Sequence, residues 1–199
     1  MTTPPTVSRA AERDQPLRIA VLVASTRTER VGLTLGEWAA ERVASTGAEA
    51  ALVDLADVVL PDDALLQPGG GPRSPLADRI DRADAYVVVT PEHNHSYPAA
   101  LKRAIDWHYA EWMFKTATVL SYGVQGGLLA TEHLRGVLAE LSVVTTRRVV
   151  GLRAPWNDVD SGAFAPPDGV TPAFDEAVRE LTWWAETLRT ARRERPFRR

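Results

Sequence analysis

The 199-residue chain contains no cysteine. That excludes disulfides, thiolate catalysis, iron–sulfur clusters and cysteine zinc sites together. Lysine is nearly missing too: Lys102 and Lys115 stand against 21 arginines. No apolar run approaches the roughly 18 residues of a membrane span, so no membrane partner is expected. Residues 1–16 are too polar for a signal peptide, and a cytoplasmic location is the expectation. Neither the GxGxxG dinucleotide fingerprint nor the lysine-bearing triphosphate loop occurs, which removes support for phosphoryl transfer. The net charge of −3 gives no basis for binding nucleic acid through the whole surface. The one strongly basic stretch, residues 189–199, has six arginines and one glutamate and reads as a solvated helix end.

What is present is an ordinary soluble composition, 45% hydrophobic and 25% charged, in a length suited to one domain. The expected organisation is a flexible lead over 1–16, a single domain over 17–192 and a basic tail over 193–199. Residues 17–24, LRIAVLVA, and 85–90, AYVVVT, are near-continuous apolar runs rich in branched side chains. Strands buried on both faces, as in a parallel sheet, look like this. Further strands are expected at 50–55, 116–122 and 143–150. Helical spacing is expected over 33–45, 75–82, 99–109, 128–141 and 172–192. A long stretch, LPDDALLQPGGGPRSP, carries too much proline and glycine for regular structure. Strand and helix patterns alternate five times, which predicts a doubly wound α/β fold: a five-stranded parallel sheet with helices on both faces.

Ligands of such folds sit beyond the carboxyl ends of the strands, near the switch point of strand order. Three turns leave strand ends with distinctive chemistry. Ser25, Thr26, Arg27, Thr28, Glu29, Arg30, Val31 and Gly32 offer hydroxyls, guanidinium groups and free N–H groups at a helix start, a suitable cradle for an anion. A polar turn with a serine cap is the plainer alternative. Pro91, Glu92, His93, Asn94, His95, Ser96, Tyr97 and Pro98 form a loop stiffened by a proline at each end. His93 and His95 could be a metal pair, but no third ligand has convincing spacing. His108 and His133 fall on helix patterns as packed or surface residues. Tyr122, Gly123, Val124, Gln125, Gly126 and Gly127 place three glycines directly after a strand, where a backbone can approach a ligand closely.

Together these segments resemble the NAD(P)H-dependent FMN reductase family, a flavodoxin-like group. The resemblance rests on Ala24-Ser25-Thr26-Arg27 for the family's G-S-x-R, and on Pro91-Glu92-His93-Asn94-His95-Ser96-Tyr97-Pro98 for P-E-Y-N-x-S-x-P. Leu101-Lys102-Arg103-Ala104-Ile105-Asp106 follows as L-K-N-A-I-D, and Tyr122-Gly123 with Gly126-Gly127 match Y-G-x-x-G-G. It covers about residues 17–150, and Asp54-Leu55 with Leu60-Pro61 also looks like the family's segment after its second strand.

The resemblance implies a flavodoxin-like strand order 2-1-3-4-5 and non-covalently bound FMN. Ser25, Thr26, Arg27 and Arg30, with the backbone of Val31 and Gly32, would take the phosphate. Pro91, Glu92, His93, Asn94 and Ser96 would lie along the isoalloxazine ring, and Tyr122, Gly123, Val124, Gln125, Gly126 and Gly127 would close its other side. The implied reaction passes hydride from NADPH or NADH to the flavin, and electrons on to an acceptor. That acceptor is a quinone, an azo compound, a biosynthetic intermediate, or free flavin feeding a partner oxygenase. An FMN-binding electron carrier without its own NAD(P)H reaction is the alternative. Family members work as homodimers or tetramers, and the 61–75 loop and residues 107–112 are the candidates for the contact that roofs the flavin. The tryptophans at 107, 112, 183 and 184 are equally readable as core or surface aromatics, and helical spacing alone favours packing. Two departures stand out: Ala24 replaces the usual glycine, and His93 replaces the usual tyrosine. His93 is offered as the one side chain with a catalytic part, donating a proton or hydrogen bond to bound acceptor.

Overall fold

The first strand, β1 (Arg18–Val23), buries every residue after Arg18, as its unbroken apolar run requires. The computed structural model describes residues 15–197 and continues from β1 with α1 (Gly32–Ala44), β2 (Glu49–Asp54), α2 (Ala77–Arg82) and β3 (Ala85–Pro91). The chain goes on through α3 (Ala99–Trp107), β4 (Thr116–Gly123), α4 (Leu128–Glu140), β5 (Val144–Thr145) and β6 (Val150–Arg153). A small antiparallel hairpin, β7 (Val159–Asp160) and β8 (Ala163–Phe164), precedes the last helix, α5 (Val170–Glu194).

The main sheet is parallel throughout, in the order β2-β1-β3-β4-β5, with β6 also pairing with β4. Each face is covered by helices, because parallel strands joined by crossover helices leave no face to water. One core gathers Leu22, Leu76, Ile80, Tyr86, Leu101, Ile105, Trp112 and Leu134 on the side of α2, α3 and α4. The other gathers Ile19, Val21, Leu35, Val87, Leu120, Phe174 and Leu181 on the side of α1 and α5. The expected doubly wound, flavodoxin-like architecture is therefore the observed one.

Several local expectations change. The fifth strand, expected as continuous over 143–150, is interrupted at 146–149. There the side chain of Thr146 turns inward, its hydroxyl donating to Thr118 Oγ1 at 2.9 Å or the Arg148 carbonyl at 2.7 Å. The N–H groups of Arg147 and Arg148 donate to the Glu180 carboxylate of α5, at 2.8 and 3.2 Å, in place of a strand partner. Helix α3 stops at Trp107, two residues early. His108 is extended, and its Nδ1 donates back to the Ala104 carbonyl at 2.7 Å. That fixes the tautomer, so Nε2 accepts from the Ser74 hydroxyl at 2.6 Å. The segment between the last expected strand and the last expected helix contains the β7–β8 hairpin. Helix α5 takes in Arg193 and Glu194 from the expected tail. Most of the expected 1–16 lead, and the last two tail residues, lie outside the described residues.

Within residues 107–112, the two tryptophans offer no exposed contact for a second subunit. Trp107 and Trp112 are both 1% exposed. Trp107 Nε1 donates to the Pro72 carbonyl at 2.8 Å, and Gly71 N–H donates to the Trp107 carbonyl at 2.9 Å. Trp107 packs the 61–75 segment onto its own chain, and Trp112 packs against Tyr86.

Candidate functional site

The parallel register brings three loops to one end of the sheet. Val23 lies opposite Val89, and Pro91 lies opposite Tyr122. Ala24 N–H still donates to the Val89 carbonyl at 2.9 Å, and Glu92 N–H to the Tyr122 carbonyl at 2.8 Å. The turns after β1, β3 and β4 thus begin at one level.

The first turn feeds α1 in an unusual way. Val31 occupies the N-cap position, no side chain caps the helix, and its first turn holds no acidic residue. The early N–H groups of a helix have no intrahelical acceptor and carry its positive dipole end. Here both are left open beside Ser25, which is buried, and Thr26 and Arg27, which are exposed. Arg27 makes no ion pair or side-chain hydrogen bond among the described residues. Arg30 differs. Its Nη1 donates to the Arg27 carbonyl at 3.0 Å and its Nη2 pairs with the Asp54 carboxylate at the end of β2. Its Nε is buried without a partner. Arg30 therefore braces the turn from behind, while Arg27 is the free cation in front.

Tyr122 joins this turn to β4. A Cβ on Gly32 would stand 2.5 Å from the Tyr122 hydroxyl, so only glycine lets the phenol reach in. Burial pushes the phenol up to about 12, against a hydrogen bond with the Ser25 side chain and the charges of Arg30 and Arg27. It stays neutral at every physiological pH.

The second loop closes on itself. His93 N–H donates to the Ser96 carbonyl at 2.7 Å and Ser96 N–H to the His93 carbonyl at 3.0 Å. Asn94 and His95 span the tip with positive φ, 49° and 64°, the pattern of a two-residue primed turn that suits asparagine. Both are exposed, while Pro91 is buried and His93 half-buried. Burial, and then the charge of Arg27, hold the His93 imidazole below its ordinary range, so it is neutral at pH 7. Ser96 Oγ lies 3.2 Å from His133 Nδ1. Glu92 turns away from the loop. Its carboxylate accepts from Leu129 N–H at 3.1 Å and from Ala130 N–H at 3.4 Å, capping α4 from outside.

The third turn is held by its carbonyls. Ser121 Oγ donates to the Gly126 carbonyl at 2.8 Å, and Ala154 N–H to the Gly123 carbonyl at 2.9 Å. Gly127 has φ 76°, and a Cβ there would meet Ser121 Cβ at 2.7 Å and Tyr122 N at 2.8 Å. Gly123 has no such constraint. Val124 and Gln125 are exposed at the rim with Leu128, Leu129 and, across the turn, Trp156.

A cleft of about 270 Å³ adjoins the first turn, lined by Thr26, Leu55, Val58, Leu60, Ala100 and Arg103. Arg103 fixes its outer wall through Asp63 at 2.6 Å and the Pro61 carbonyl at 2.5 Å. Larger clefts, of about 380 and 420 Å³, lie at the opposite end of the sheet and between α3 and α4. Size alone would favour those. Arg82 in the first of them is likewise without an ion pair or side-chain hydrogen bond among the described residues, but neither cleft sets such a cation beside the hydroxyls of Ser25 and Thr26 and the open start of α1, and that combination decides for the three turns.

Residues 17–156 match the family model of the NADPH-dependent FMN reductases. The chain belongs to that family. It is 32% identical over 184 residues to the NAD(P)H-dependent FMN reductase LOT6 of Saccharomyces cerevisiae, covering 83% of this chain and 90% of that protein. A quinone reductase of Escherichia coli is 38% identical over 106 residues, 49% of this chain and 56% of the other. Among solved structures, the Paracoccus denitrificans flavoenzyme FerB, an NAD(P)H:(acceptor) oxidoreductase, has a TM-score of 0.69 at 27% identity. That match spans 86% of this chain and 98% of FerB. The protein is a flavin-dependent oxidoreductase with NAD(P)H as electron donor.

Sequence reasoning treated Arg27 and Arg30 alike and missed the pairing of Arg30 with Asp54. A carboxylate ending a buried strand needs a cation or N–H donors nearby, and that signal was available. The bond from Glu92 to α4 had no sequence signal, because it joins residues 37 apart.

Proposed function

We propose that the three turns hold FMN non-covalently and that the protein uses NAD(P)H to reduce small planar acceptors of the quinone type. The observation that carries this reading is the unpartnered Arg27 beside the uncapped start of α1. A dianionic phosphate satisfies both: the guanidinium fork matches its oxygens, and the open N–H groups donate to it along the dipole. Ser25 and Thr26 add hydroxyls, and Val31 and Gly32 add backbone N–H groups. Arg30 contributes by holding the turn against Asp54.

The ring of the flavin fits between Pro91–Ser96 and Tyr122–Gly127. The N–H groups of Glu92 and His93 are spent within the fold, so Asn94, Val124 and Gln125 are left as rim donors. When bound, FMN supplies the two-electron chemistry between NAD(P)H and the acceptor. The chain's own part is to position and to exclude water. His93, neutral and half-buried, offers a hydrogen bond to the acceptor. Val124, Leu128, Leu129 and Trp156 give the mouth an apolar rim suited to a flat acceptor. The E. coli relative's name supports a quinone. A homodimer or tetramer, acting in the cytoplasm, is the working form on this reading. Free flavin destined for an oxygenase is the competing acceptor.

The test is anaerobic. FMN-loaded protein mixed with NADPH or NADH is expected to lose its flavin absorbance in one turnover, and one equivalent of benzoquinone is expected to restore it. Bleaching that only oxygen or free FMN reverses would remove the quinone assignment. Absence of bleaching by either nucleotide would leave a one-partner electron carrier.

A further inference from the structure

A second cation stands unpartnered at the same end of the sheet. Arg153 closes β6, where alternation sends Val150 and Leu152 into the core and Arg153 outward. Its side chain lies along the glycine turn, with Cγ 3.6 Å from where a Gly126 Cβ would be. Among the described residues it makes no ion pair or side-chain hydrogen bond. Of the neighbouring arginines, Arg148 pairs with Glu176 at 2.8 Å and Arg135 with Glu132 at 3.3 Å, while the exposed side chain of Arg147, unlike Arg153 away from the glycine turn, also makes none.

Trp156 follows three residues later and is 49% exposed. It sits on a stiff support. Ala154 is left-handed at φ 47° and bonded to Gly123, Pro155 is buried, and Asn157 N–H donates to the Ala154 carbonyl at 3.0 Å. A large exposed indole on a braced backbone offers a stacking face.

This cation cannot belong to the FMN phosphate. β6 pairs with β4, and β3 separates β4 from β1, so Arg153 is three strands from the first turn, about 14 Å at ~4.8 Å per strand. Between them, Glu92 places a carboxylate at the start of α4, where a further phosphate would be repelled. An anionic ligand that continues outward past the glycine turn meets Arg153 first. Beyond Trp156 the carboxylates of Asp158 and Asp160 close off the direction of the hairpin, Asp160 accepting from Ser161 Oγ at 3.2 Å.

We propose that Arg153 and Trp156 seat the adenosine 2′-phosphate end of NADPH, with the adenine on the indole and the phosphate on the guanidinium, so that this rim selects NADPH over NADH. The inference rests on the donor-dependent reading above. Only the 2′-phosphate distinguishes the two nucleotides, and a guanidinium fork is the group that reads it.

The decisive experiment uses the FMN-loaded full chain and compares KM for both nucleotides. Arg153→Ala is expected to raise the ratio of the NADPH to the NADH KM about tenfold, and Arg153→Lys to raise it less. Trp156→Ala is expected to raise both values together, and Trp156→Phe to restore them. Calorimetric titration with adenosine 2′,5′-bisphosphate, with or without FMN, should show binding that Arg153→Ala weakens and adenosine 5′-monophosphate does not match. An unchanged KM ratio in Arg153→Ala, or bisphosphate binding that ignores the substitution, overturns the proposal. Lost FMN retention in Arg153→Ala would also overturn it, by assigning that arginine to the flavin. A chain that never binds FMN but binds the bisphosphate through Arg153 would refute the functional reading and leave this seat standing.

Discussion

The two ends of the sheet are built on opposite rules. At the amino ends of β1, β3 and β4, the buried polar groups are paired off, while the exposed Arg82 is not. Asp84 accepts from Arg18 N–H and from Arg192 Nη2, both at 3.1 Å, with Arg189 Nη1 at 3.5 Å. Arg192 also donates to the Phe114 carbonyl at 2.8 Å, and Arg189 to the Gln15 and Pro16 carbonyls. Lys115 is buried beneath, its Nζ donating to the Ile80 and Asp81 carbonyls at 2.8 Å and lying 5.6 Å from the Tyr86 ring centre. At the carboxyl ends, Arg27 and Arg153 have no side-chain partner among the described residues, no side chain caps α1, and Asn94 and His95 are exposed with positive φ. Charge that is satisfied holds strands together. Charge left unsatisfied beside open N–H groups is kept for a ligand.

Substitutions should separate these roles. Asp84→Ala strips one carboxylate from two guanidinium groups that are mostly out of water, and should cost about 3 kcal/mol in chemical denaturation. FMN affinity of the folded fraction should stay within about twofold, since the site is at the other end. A large loss of affinity would erase the distinction between the ends.

Arg30→Ala should fall next, at about 1–2 kcal/mol. It leaves the buried Asp54 carboxylate with the Ala56 N–H at 3.0 Å as its remaining donor. Because Arg30 braces the turn rather than facing the ligand, stability and FMN affinity should both drop. Affinity that drops without any change in unfolding would make Arg30 a phosphate ligand after all.

Lys115 gives the closed end a pH signature. Burial, and then the charge of Arg192, lower its folded-state value to about 7 from 10.5. Between those values the unfolded chain holds the proton and the folded chain does not, so stability rises with pH from about 7 to 10.5. Below about 7 both forms are protonated and the folded state carries the full penalty. Lys115→Met should flatten this rise by at least ~1 kcal/mol over pH 7–10, read from unfolding curves. An unaltered slope would mean that Lys115 stays charged throughout.

The smallest effect belongs to the open end. His93 should titrate below 6.5 by NMR in the unliganded protein, and Arg27→Ala should move its midpoint upward, because a nearby positive charge is removed. No movement would place the two turns out of electrostatic reach.

Much of the open end was legible in the sequence, because its turns follow strands whose apolar runs admit one reading. Asn94 in a tip with positive φ, and glycines at 126 and 127, are choices that backbone sterics impose locally. The closed end was not legible. Asp84, Arg189 and Arg192 lie about a hundred residues apart in the chain, and their partnership exists only once α5 has docked. The same holds for the break in the fifth strand, where Glu180 supplies from α5 what β4 does not. Helical spacing favoured packing for Trp107 and Trp112, and they are buried, but spacing could not say that Trp107 would pack its own 61–75 loop. Arg27 and Arg30, three apart in one turn, carry the same charge and differ only through Asp54.

The account stands most directly on the phosphate turn, and equilibrium titration of flavin-free protein with FMN and with riboflavin tests it. FMN should bind at least about 100-fold more tightly than riboflavin, which lacks the phosphate, and Arg27→Ala should remove most of that margin while leaving the unfolding midpoint nearly unchanged. Equal affinity for the two flavins, or a margin indifferent to Arg27, would contradict it.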